Sequence, residues 1–127
     1  MSDAAGVPIL RFRAGTLPCA VAARDVQALR DPSSDRPPLW RLLGLPDVAA
    51  GAGEASRGWI LRLTHGDVTA EVVVQGPIEI TEVMAQDVMP RPRGLAVRDG
   101  DLVFGFARCA REVVLLLDIP TLVALAS

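Results

Sequence analysis

His65 and Asp67 stand two apart in THGD, and they are the first residues to examine for chemistry. A histidine oriented by a carboxylate can act as a general base, but it then needs a nucleophile within hydrogen-bond reach. None is identifiable near them, and a His–Asp neighbour pair in a glycine-containing turn reads as turn chemistry. Glu71, Glu79 and Glu82 recur at spacings that suit solvated outward faces of strands. Cys19 and Cys109 lie far apart with no CxxC pairing. Together with the single histidine they cannot supply a zinc site, and they read as two buried thiols. GAGEASRG, residues 51–58, lacks the lysine of a phosphate-binding loop. No catalytic, metal or cofactor set emerges, and an enzyme is not expected.

The 127 residues carry a formal net charge of −2, with 13 basic residues that are all arginine. That balance has no electrostatic footprint for a phosphate backbone, and with no tyrosine and 4% aromatics there is no stacking platform for bases. Nucleic-acid binding is therefore not expected. MSDAAGVPIL lacks the positive charge and apolar run of a signal peptide. The apolar stretch Val113–Ala126 is interrupted by Asp118 and Pro120 and falls short of the ~20 residues of a membrane helix. A soluble, cytoplasmic chain without membrane insertion is the expectation.

The elements follow from periodicity. In PILRFRAG, Leu10, Phe12 and Ala14 share one face of a strand while Arg11 and Arg13 face water. A turn at Gly15-Thr16 and the strand LPCAVA complete a hairpin. Val26 and Leu29 in ARDVQALR have the spacing of one or two helical turns, stopped at Asp31-Pro32. RDPSSDRPP reads as loop, and LWRLLGLP as a short helix with Leu39, Leu42 and Leu43 on one face and Gly44 at its end. Residues 47–56 read as linker. WILRL, the THGD turn and VTAEVVVQG form the clearest hairpin. IEITEV follows as a separate strand with Ile78 and Ile80 inward, and residues 84–94 as irregular backbone. A strand–turn–strand with its turn at Asp99-Gly100, the strand REVVLLLDI buried on both sides, and a helix over PTLVALA end the chain. The class is all-β with a few short helices, arranged as small barrels.

The order of these motifs resembles the CheW-like coupling domain of bacterial chemosensory arrays. ILRFRAGTLPCAVA matches the family's opening strands and DVQALR its VxEI segment. EVVVQGPIEI matches its GLxVDxV hairpin end, with Gln75 in place of the acid. DVMPRPRGLAV and VFGFARCAREVVLLLDIPTL match the remainder. The resemblance implies two small SH3-like β-barrel subdomains. The first, residues 7–46, is truncated, because RDPSSDRPP runs directly into LWRLLGLP where the family carries further strands with an Asn-Leu-Arg-Gly motif. Residues 47–57 are then a loop and residues 58–127 the second subdomain with its C-terminal helix.

The implied function is a non-catalytic adaptor with no cofactor. Its expected partners are the cytoplasmic tip of a chemoreceptor and the CheW-like domain of a histidine kinase. The shortened region implies that kinase coupling is weakened or lost, with loss of receptor contact as the opposite outcome. Val26 and Leu29 are assigned to the receptor-facing groove, although Leu29 fits simple packing equally well. Ile60 and Arg62 are further candidates, Arg62 facing solvent by alternation. Trp40 either covers an exposed core or anchors a partner. The alternative is a self-associating protein, a homo-oligomer whose open barrel is completed by a second copy.

Overall fold

Gly15 and Gly66 each take a positive φ, 66° and 60°, and each sets a two-residue loop that returns the chain on itself. Gly15-Thr16 joins β1 (Val7–Ala14) to β2 (Leu17–Ala22), and Gly66-Asp67 joins β4 (Gly58–His65) to β5 (Val68–Val83). The computed structural model describes residues 6–31, 38–43, 58–90, 102–109 and 111–126. The expected end of the short helix at Gly44, the linker at 47–56 and the Asp99-Gly100 turn lie outside them.

β3 (Val26–Arg30), β6 (Val88–Pro90), β7 (Val103–Cys109) and β8 (Glu112–Leu117) complete one eight-stranded sheet, ordered β3-β4-β5-β1-β2-β8-β7-β6. Apart from the parallel β2–β8 pair, neighbours run antiparallel. The order is pseudo-symmetric about the β1–β2 hairpin. On one side β2 passes through a single turn of 3₁₀ helix, Ala23–Asp25, into the edge strand β3. On the other, β5 passes through Ala85–Asp87 into the edge strand β6. ARDV and AQDV are therefore the same corner used twice, each followed by an edge strand that pairs with the next hairpin.

The sheet serves two clusters of buried side chains. Leu10, Phe12 and Ala14 of β1 join Leu61, Leu63, Val72 and Val74 in the main one. The short helices α1 (Leu39–Leu42) and α2 (Ile119–Ala126) press onto it through Leu39 and Leu122, both fully buried. Ile9, Ala20, Val83, Ala107, Cys109, Val114 and Leu116 form the second. Asp118 starts α2: its Oδ2 accepts the Thr121 N–H at 3.2 Å and the Thr121 hydroxyl, while Pro120 sits where no helical donor is needed.

Four expectations are corrected. Val26–Arg30 is a strand and not a helical turn: pairing with β4, shifted in register between Val26 and Ala28, overrides a spacing that fits two apolar contacts in either geometry. VTAEVVVQG and IEITEV are one strand of 16 residues, continuous through a cis Gly76-Pro77 bond. Ile80 does not point inward but is 70% exposed. β4 pairs with β5 only as far as Gln75, so beyond that point β5 has, among the described residues, a strand neighbour on the β1 side alone. Val88–Pro90, read as irregular, is a short strand on β7. Gln75, which replaces an expected acid, is 7% exposed, and a neutral amide carries no ionisation cost there.

Leu39 and Leu122 are the fully buried apolar anchors through which the two helices close the main cluster. Leu39→Ala and Leu122→Ala should each cost about 2–5 kcal/mol of unfolding free energy in urea titrations, against under about 0.5 kcal/mol for the exposed Arg62→Ala.

Candidate partner-binding surfaces

β4 lies between β3 and β5, so its alternation divides the residues proposed for partner contact. Leu61 and Leu63 turn into the main cluster, opposite Leu29 and Val26 of β3. Ile60 and Arg62 turn to the other face. Val26 and Leu29 are half-buried against the main cluster, and Trp40 of α1 packs against the same cluster, also half-buried. These three retain exposed surface while holding the core.

Arg62 is exposed, as alternation requires, opposite Ala28 and Glu71. Beside it Glu71 accepts from the Arg30 guanidinium in an ion pair that ties β3 to β5 across β4. Ile60 is a correction. It sits between Arg30 and Val73 in the middle of three paired strands and is 1% exposed, which leaves no side-chain surface for a partner. The five residues therefore do not make one patch: Val26, Leu29 and Trp40 belong to the main-cluster side, Arg62 to the opposite face, and Ile60 to the interior.

Two features lay beyond the sequence reading. Arg11 and Arg13, expected to face water, are half-buried and tied into ion pairs. Arg11 donates to Glu112 at 2.7 Å and to Glu79 at 3.5 Å, and Arg13 reaches the other oxygen of Glu112 at 3.4 Å. Glu112 thus joins two arginines of β1 across β2. The only sequence signal was the alternation of arginine and apolar residues, which does not say that the strand is covered on both sides. Beside the second cluster Val7, Ile9, Val83, Val88, Phe104 and Leu116 line an apolar groove of about 220 Å³.

His65 and Asp67 are both exposed on the β4–β5 loop. Among the described residues no group of His, Cys, Asp and Glu could hold a metal ion, and no helix is long and apolar enough to cross a membrane. Burial pushes the Cys19 thiol up to about 12, opposed by a backbone hydrogen bond at Ala14 and by the Arg13 charge. Burial also raises Cys109; Arg11 opposes that rise while Glu112 and Asp87 add to it. Both thiols are held protonated and unreactive.

No model of a known protein family matches the sequence, and no curated protein is significantly similar to it. The crystal structure of the scaffolding protein TtCheW from Thermoanaerobacter tengcongensis, however, matches the fold with a TM-score of 0.67. The match covers 89% of this chain and 89% of that one, at 12% sequence identity. The chain has an all-β, CheW-like fold. The order of strands and motifs carried that fold even though sequence identity alone does not.

The thiols have a measurable consequence, because the chain has neither lysine nor tyrosine. With no lysine or tyrosine to release protons in that range, the cysteines carry the side-chain titration expected between pH 9 and 12. The unfolded chain releases its thiol protons near pH 9, whereas folded Cys19 keeps its proton to about 12. The stability it contributes is complete below pH 9 and is lost as pH rises towards 12, at up to about 1.4 kcal/mol per pH unit. Urea titrations from pH 8 to 11.5 should show this decline, and Cys19→Ala should flatten it while lowering stability at pH 8. An unaltered slope in that variant would contradict the assignment.

Proposed function

We propose that this CheW-like chain is a non-catalytic adaptor of a bacterial chemosensory system that binds the cytoplasmic tip of a chemoreceptor. The observation that carries this reading is the likeness to a scaffolding protein over 89% of the chain. Within this one domain, residues 7–46 are read as the part shortened by the loss of the Asn-Leu-Arg-Gly strands and residues 58–127 as the remainder, the two meeting in the main cluster. Contact with the kinase's CheW-like domain is weakened or lost with the missing strands, and the protein works in the cytoplasm without a cofactor. Val26, Leu29 and Trp40 are the receptor-contacting residues, since each is rooted in the main cluster and still offers apolar surface. An aromatic anchor of this kind is where binding energy concentrates.

The position of β3 favours self-association as a second reading. Val26–Arg30 is an edge strand, and among the described residues it pairs only with β4. A second copy could extend the sheet there.

Calorimetry of the full chain against a receptor cytoplasmic tip, and in parallel against the kinase's CheW-like domain, separates the outcomes. Receptor binding with absent or much weaker kinase binding is expected, and Trp40→Ala should weaken the receptor complex about tenfold with the far-UV spectrum retained. Stoichiometric binding to the kinase domain would overturn the loss of coupling. A solution mass of twice 13.5 kDa by light scattering, with neither partner bound, would favour self-association.

A further inference from the structure

Arg11, Arg13, Glu79, Arg111 and Glu112 bound a cleft of about 380 Å³, with Phe12 and Pro77 completing the lining. Its volume falls in the range of small-ligand sites, roughly 300–1,000 Å³. Three arginines face two glutamates, so the cleft carries one positive charge in excess on a chain whose net charge is −2.

The arginines are not equivalent. Arg11 is engaged by both glutamates, with its side chain 18% exposed, and serves as a strut. Arg13 gives one terminal nitrogen to Glu112 and the other to the Thr16 carbonyl at 3.2 Å. Those two bonds fix the plane of its guanidinium and leave further N–H groups for a ligand. Arg111 lines the same cleft, is exposed, and makes no ion pair among the described residues. A fixed guanidinium beside an uncommitted one is an arrangement that receives a planar, two-oxygen anion. Glu79 and Glu112 on the same rim disfavour ligands of higher charge density.

We propose that this cleft binds a carboxylate, held by Arg111 and Arg13, supplied by a small organic acid or by an acidic segment of a protein. This surface lies on the Arg11 side of β1 and does not depend on the receptor reading.

Thermal-shift titrations and calorimetry on the full chain would use three probes: succinate, an N-acetylated and amidated triglutamate peptide, and inorganic phosphate. Succinate or the peptide should raise the melting temperature in proportion to occupancy, with affinity that falls as sodium chloride is added. Arg111→Ala should weaken that binding about tenfold, as should Arg13→Lys, which keeps the charge and removes the fork. Arg108→Ala, an exposed arginine outside the cleft, should leave it unchanged. A response to succinate identifies a free acid as sufficient, and a response to the peptide alone identifies a protein-borne acidic segment. No response to either carboxylate, tighter binding of phosphate than of both, or binding unaltered in Arg111→Ala would overturn the proposal.

Discussion

One strand has to satisfy two interiors. β1 directs Leu10, Phe12 and Ala14 into the main cluster, while Ile9 on its other face enters the second. A strand alternates strictly, so both faces of β1 are spoken for, and its remaining outward positions hold Arg11 and Arg13. Those arginines can sit over an apolar interior only because Glu79 and Glu112 meet them there. A partly covered pair of this kind adds little net stability through charge, but removing one member leaves the other badly solvated. The second cluster itself borders an apolar groove lined by Ile9, Val83 and Leu116.

The doubled corner explains how so short a chain builds both interiors. Each 3₁₀ turn carries the chain from a central strand to an edge strand without a long connection. On the β3 side the helices α1 and α2 complete the enclosure, since Leu39, Leu122 and Val123 fill the main cluster where a sheet alone would leave apolar side chains open. Residues that hold this enclosure together also carry the candidate contact surface. Trp40 belongs both to the packing of α1 and to the exterior, so the two alternatives posed for it are not exclusive.

Much of the architecture was legible along the chain. The hairpins at Gly15-Thr16 and Gly66-Asp67 follow from alternation and a glycine at the turn, the C-terminal helix from Pro120 at a tolerated first-turn position, and the all-β class from their order. ARDVQALR was misread because Val26 and Leu29 satisfy a helical spacing as well as a bulged strand, and only pairing with Leu63 and Leu61 decides between them. Ile80 was misread because alternation says which face a residue takes but not where the neighbouring strand ends. Ile60 was misread as accessible for a related reason: its face is known from alternation, but its burial depends on Arg30 and Val73 beside it.

Local chemistry, then, settled what the near neighbours of a residue can settle: turns, strand faces, and an alkaline titration left to two cysteines by the absence of lysine and tyrosine. The tertiary structure decided everything that depends on residues distant in the chain. It brought Glu112 to Arg11, 101 positions away, and set Glu71 against Arg30. It also made edge strands of β3 and β6, and opened a cleft between the arginines of β1 and Arg111, which precedes β8. The reason is that an alternating strand specifies two faces but not their environments, which are supplied by whichever strands and helices the register places alongside.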